Sequence, residues 1–170
     1  MNRRVLLACM GIGVAALLVP AVAQFPMRFV YNPSDSVARG WYHIGPSSAP
    51  QVGGIVLVQL PVGVAAFAAQ RGYLPAGIPL LKQIGAMAPQ RVCVGEGVVR
   101  INGVAVAAVL ANDGVGRELQ SWTQCRTLAV GELFLLSNVH PASFDSRYFG
   151  PVDASAVIGR AHPLWTWGTP

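Results

Sequence analysis

The longest uncharged stretch opens the chain: Val5 to Ala23 is mainly apolar and follows Arg3 and Arg4, whereas everything after it mixes short apolar runs with turn-forming residues. The opening pattern predicts one helix. Its nineteen residues at about 1.5 Å each would span roughly 28 Å, about the hydrocarbon thickness of a bilayer. Arginines ahead of it keep the front end in the cytoplasm and send the remainder across. Ala21-Val22-Ala23 also has the small-x-small form of an export cleavage site, so a retained anchor and a removed signal are both open. The organisation expected is residues 1–24 as membrane anchor or signal, and 25–170 as one exported domain, facing the periplasm in a bacterium.

Beyond that segment the apolar runs are mostly of strand length. GGIVLVQL (53–60) is an apolar, β-branched run, and PLLKQIGAM (79–87), RVCVG (91–95) and ELFLLSN (132–138) are further largely apolar stretches; all four predict strands. VVRINGVAVAA sets Asn102-Gly103 between two such runs, the dipeptide a two-residue hairpin prefers because both positions need positive φ. PVGVAAFAAQRGYLP (61–75) has Pro at a first helical turn, alanines throughout and Gly72 near its end, which predicts a short helix. Residues 110–126 turn polar and irregular, HPASFDSRYFGPV (140–152) reads as a structured turn, and ASAVIGRAHPLWTW (154–167) as a closing strand. The sum is a mainly antiparallel β domain with little helix, its sheets closed or stacked so that few edges stay open.

Composition narrows this further. With 53% apolar and 11% charged residues the chain can build a real core and is not a disordered polymer. Net charge is +5, yet the arginines are scattered from Arg3 to Arg160 without a run or stripe, which argues against nucleic acid and for solubility or attraction to an anionic membrane. Cys9 lies in the apolar segment, leaving Cys93 and Cys125 as a pair that an oxidising compartment would let close; two buried thiols are the alternative. No Cys or His pair has metal-ligand spacing, and no cofactor is called for.

Candidate chemistry begins at YNPSDSVARGWY (31–42), where Ser34 and Ser36 sit in a stretch punctuated by Pro33, Asp35 and Gly40. A sharp bend leaves a hydroxyl unencumbered, but a serine needs a base. Eleven of the twelve cations are arginine and the single lysine is Lys82, inside IPLLKQIG. Arginine stays protonated almost everywhere, whereas desolvation strips a lysine of its proton, so Lys82 is the cation that can become a general base. The plainer alternative is a snorkelling side chain with its ammonium in water. A Ser-His-Asp set drawn from Ser143, His140 and Asp145 is close in sequence, but triad members usually come from separate elements. His43, His140 and His162 are expected to be surface or cap residues.

Three segments together resemble the TraF-type conjugative transfer peptidases, relatives of the type I signal peptidases, and the likeness runs from the apolar opening almost to the C-terminus. NPSDSVARGWY is similar to the family's nucleophile box through Asn32, Ser34, Ser36, Gly40 and Tyr42. LLKQIGAMAPQRVCV resembles its lysine box, with Lys82 as base and Gly85 three residues on, and SFDSRYFGPV matches the last box through Ser143, Asp145, Ser146, Arg147 and Gly150. The helix at 61–75 and the Cys93 and Cys125 positions also look like this subfamily. The resemblance implies a signal peptidase-like β fold and a Ser-Lys endopeptidase: Ser36 attacks, Lys82 takes its proton, Ser34 joins the oxyanion hole, and Ser143 orients the amine. Asp145 and Arg147 would form a structural ion pair. It further implies an exported protein or pilin precursor of a conjugative type IV secretion system as substrate, an inner-membrane setting, and for some members joining of the pilin ends. The rival class is a non-catalytic periplasmic assembly factor of the same apparatus.

Overall fold

A computed structural model describes residues 2–22, 28–47, 49–137 and 139–168. The uncharged opening forms α1 (Arg3–Val22). Ala23 of the small-x-small pattern and the side chains from position 17 onward in α1 lie outside the described residues, and among those described no helix is long and apolar enough to cross a membrane.

The remainder is two antiparallel sheets. Strands β1 (Phe29–Asn32), β2 (Arg39–Gly45), β3 (Ile55–Val58), β4 (Leu80–Met87), β9 (Glu132–Leu135), β10 (Val152–Asp153) and β11 (Val157–Trp167) make a seven-stranded sheet ordered β1-β2-β11-β3-β4-β9-β10. Strands β5 (Arg91–Gly95), β6 (Val98–Ile101), β7 (Val104–Ala108) and β8 (Cys125–Thr127) make a second sheet ordered β7-β6-β5-β8. Helix α2 (Val62–Arg71) and the single turn α3 (Ser146–Phe149) complete it. The β6–β7 turn is the two-residue hairpin expected at Asn102-Gly103, both residues with positive φ, and α2 ends on Gly72 in the left-handed conformation.

Three differences from the sequence reading have physical causes. β1 and β2 carry no simple apolar/polar alternation, because their outward faces hold Phe29, Tyr31 and Trp41, exposed, opposite inward Tyr42 and Ile44; period two is hidden when both faces are apolar. The closing strand starts at Val157 rather than Ala154, since the Asp153 carboxylate accepts the Ser155 N–H at 2.7 Å and winds residues 154–156 into a 3-10 turn. Within 140–152 the Asp145 side chain caps α3 by accepting the Arg147 N–H at 3.2 Å, the usual service of an N-cap carboxylate.

Packing explains where the lysine sits. In the β3–β4 register Lys82 faces Val56, and it lies between Leu80 and Ile84 on the same face of β4. Those residues belong to a core with Val58, Leu60 and Leu133, so the amine is carried into apolar surroundings by the strand itself. At Gly85 an added Cβ would meet the Leu136 Cβ at 2.6 Å, so glycine lets β4 run on past β9 at this distance.

Cys93 and Cys125 are directly opposed across β5 and β8 and form a disulfide. Closing a loop of 32 residues stabilises by about 3 to 4 kcal/mol through the unfolded chain. Reduction is therefore expected to lower the urea unfolding free energy by that amount, and a Cys93→Ala/Cys125→Ala variant to become insensitive to reductant.

Candidate functional site

The turn after β1 is built around one buried amide. Asn32 is 5% exposed; its Nδ2 donates to the carbonyls of Ser34, Val37 and Ala38 at 2.9 to 3.1 Å, and its Oδ1 accepts from the Ser34 N–H and Oγ at 3.1 and 2.8 Å. Tyr42 Oη donates to Ala38 O at 2.6 Å. The bend is thus fixed from inside, and Gly40, at φ +139°, closes against the backbone of Trp165 where a side chain has no room.

Ser36 Oγ lies 3.0 Å from Ser34 Oγ. Because the single Ser34 hydroxyl proton goes to Asn32 Oδ1, the Ser36 hydroxyl must be the donor in that contact. The Ser36 hydroxyl therefore points its proton at Ser34, and no hydrogen bond joins Ser36 to Lys82 among the described residues.

Lys82 is 2% exposed, and its Nζ donates to Ser143 Oγ at 2.5 Å. Desolvation dominates its titration: burial pulls the amine down to about 8, the Asp145 carboxylate raising it in part and the Arg147 guanidinium lowering it. Free Lys would be neutral about once in three thousand molecules at pH 7; at a pKa near 8 the fraction is about one in ten. With its side chain 2% exposed and its Nζ bonded to Ser143, Lys82 does not snorkel into water.

Ser143 is presented by the segment between β9 and α3, whose geometry depends on Asp145 and Arg147. Both are fully buried. Arg147 donates to both Asp145 oxygens at 2.8 Å and to the carbonyls of Ala108, Pro141, His140 and Ser143 at 2.9 to 3.3 Å, while Asp145 also accepts the Ser137 N–H at 3.0 Å. The buried pair clasps the segments around α3 together.

Ser34, Ser36, Lys82 and Ser143 all line one open cleft of about 660 Å³, with an apolar wall from Tyr73, Leu74 and Ile78. Asp145 bonds Arg147 and no histidine, so the triad of His140, Asp145 and Ser143 is not assembled. His140 nevertheless lines this cleft, with a buried Nδ1 that has no partner, and was not expected there; nothing local in the sequence reports it. Tyr73 and Phe144 were also missed as cleft residues, although Phe144 adjoins Ser143 in sequence. Among the described residues no group of three or more His, Cys, Asp or Glu is placed to hold a metal ion.

Comparison with known proteins agrees in extent with this reading. A family model described as signal peptidase, peptidase S26, matches residues 1–167. The chain is 33% identical to plasmid transfer protein TraF of Escherichia coli, covering 92% of this chain and 94% of that protein. It is 30% identical to conjugal transfer protein TraF of Agrobacterium fabrum, covering 98% and 99%. Among solved structures it aligns with a signal peptidase I from Enterococcus faecalis at 24% identity and a TM-score of 0.40, over 66% of this chain and 97% of that one.

Proposed function

Because the chain belongs to the signal peptidase family, peptidase S26, we propose that it is a membrane-associated periplasmic serine endopeptidase, with Ser36 as nucleophile and Lys82 as general base. Its substrates are exported precursors of a conjugative type IV secretion system, pilin precursors among them, a reading supported by the conjugal-transfer names of its relatives. The observation that carries the chemistry is a lysine buried in apolar surroundings that lines the cleft holding the Ser36 hydroxyl.

The Ser36 hydroxyl turns from Ser34 to the neutral amine, its oxygen bonds to the scissile carbonyl carbon, and its proton passes to Lys82. As the C–N bond breaks, the ammonium returns that proton to the leaving amine. Ser34, released from Asn32 Oδ1, donates to the oxyanion beside the Ser36 N–H; one such donor contributes about 3 kcal/mol. Asn32 Oδ1 keeps the Ser34 N–H meanwhile, so that switch leaves no buried acceptor empty. Water then takes the acyl group, or an amine does and closes a ring.

Membrane association is supported by the outer face of β1, β2 and β11. Tyr31, Trp41 and Trp165 stand in one cross-strand row and Trp167 beside Arg39 in the next, these aromatic residues all exposed and the first of them nine positions beyond the end of α1. Tyr and Trp favour the water–bilayer boundary.

The test is labelling of the full chain by diisopropyl fluorophosphate, which transfers its phosphoryl group to a serine oxygen with loss of fluoride. The rate should rise about tenfold per pH unit below 8 and level off above it, as Lys82 loses its proton. Equal labelling in Ser36→Ala would leave the assembly-factor reading instead.

A further inference from the structure

The cleft wall at Tyr73–Pro79 has no strand partner. It hangs between the α2 C-cap and β4, with backbone hydrogen bonds only from Tyr73 and Leu74 to Ala68 O and from Ile78 to Pro75 O, and Pro75 to Ile78 are exposed. What holds its cleft-facing ring is a carboxylate forty residues away in the chain: Tyr73 Oη donates to Asp113 Oδ2 at 2.5 Å. Asp113 also accepts from the N–H groups of Val115 and Arg117 at 3.1 and 2.9 Å and from Arg117 Nε at 2.7 Å, with Arg71 at 3.7 Å. The arginines tie the same two segments a second time, Arg117 donating to Arg71 O at 2.9 Å and Arg71 to Glu118 O at 3.2 Å.

The loop that supplies Asp113 is exposed almost throughout, yet the Asp113 side chain is only 5% exposed. An exposed loop that buries one charged group against a cleft wall is organised around that contact. From Tyr73 the link continues inward: its ring packs on Phe144 with centroids 5.1 Å apart, and Phe144 follows Ser143, the partner of the Lys82 amine.

We infer that Asp113 is a positioning residue for substrate: by holding Tyr73 it fixes the apolar wall against which the cleft grips an apolar side chain of an extended exported chain. This rests on the peptidase reading above. With Asp113 removed, the Tyr73 hydroxyl loses its acceptor, and the wall segment between α2 and β4, then held by ring packing, the Ala68 carbonyl and the Arg71–Arg117 tie, is freer to swing outward. The loss should fall on recognition of a peptide and far less on a reagent that reaches Ser36 without touching the wall.

Two reagents separate these. Diisopropyl fluorophosphate reports the nucleophile alone; an Ala-Leu-Ala diphenyl phosphonate, which bonds to the same oxygen with loss of phenoxide, also needs the wall. In the full chain the ratio of peptidyl to small-reagent rate should fall about tenfold in Asp113→Ala and in Tyr73→Phe, which keeps the ring and the fold. Asp113→Asn, which can still accept from Tyr73, should recover most of it. A ratio unchanged in Tyr73→Phe, or a melting temperature lowered in Asp113→Ala with no change in ratio, would reduce Asp113 to a loop staple and overturn the inference. Wild type unlabelled by either reagent would instead sink the peptidase reading, and this inference with it.

Discussion

Lys82→Met should abolish labelling of Ser36 and make the domain more stable. The first half follows from losing the proposed base: a nucleophile stripped of its proton acceptor typically drops about 10⁴-fold or more. The second follows from the cost of keeping an ammonium out of water. The amine's pKa falls from 10.5 unfolded to about 8 folded, so below pH 8 the folded state carries the full penalty, about 3 kcal/mol. Methionine fills a similar volume without charge. Leaving the Ser143 hydroxyl without its partner costs about 1 kcal/mol, for a net gain of about 2 kcal/mol at pH 7. Between pH 8 and 10.5 the wild type should itself gain stability as the unfolded chain binds more protons than the folded one, and the two proteins should converge. Urea unfolding at pH 7 and pH 10 measures this. Ser36→Ala, at a half-buried position, should lose labelling with little change in stability. A methionine variant that still reacts, or one less stable than wild type at pH 7, would mean that this amine is neither the base nor a buried liability.

The opposite signs explain what was legible in the sequence. Lys82 stands out because its type disagrees with its setting: a cation that can lose its proton, among Leu80, Leu81 and Ile84 on a buried strand. The two-residue hairpin at Asn102-Gly103 and the α2 cap at Gly72 were equally plain, each being set by local backbone need. β1 and β2 were opaque because aromatic residues on their outer face erase the alternation that marks a strand. The Asp113–Tyr73 contact was opaque for another reason: it joins two irregular segments forty positions apart, and no local rule connects them. The Ser36 hydroxyl's orientation lies deeper still, since it depends on which way the Asn32 amide faces, a matter of three carbonyls gathered by the folded turn.

Arg147→Met is expected to destabilise the domain by about 3 to 5 kcal/mol. Its guanidinium is wholly buried and satisfies four carbonyls from Ala108 to Ser143 besides the Asp145 carboxylate. Removing one member of a buried pair leaves the other as an uncompensated charge, and that penalty is the larger part of the loss. Asp145 would retain the Ser137 and Arg147 backbone N–H groups, too few for an ion without water. The double variant Asp145→Ala/Arg147→Met should recover part of the stability, because the stranded charge is gone while the orphaned carbonyls remain. The pair also tunes the Lys82 amine. Asp145 raises the Lys82 pKa and Arg147 lowers it, so loss of Arg147 should move the labelling midpoint above 8 in whatever fraction still folds, and the double variant should move it back. Chemical denaturation and the pH profile of labelling read these two effects separately. A single variant as stable as wild type would mean that the carboxylate escapes the cost of burial, and a midpoint that stays at 8 in both variants would mean that desolvation alone tunes Lys82.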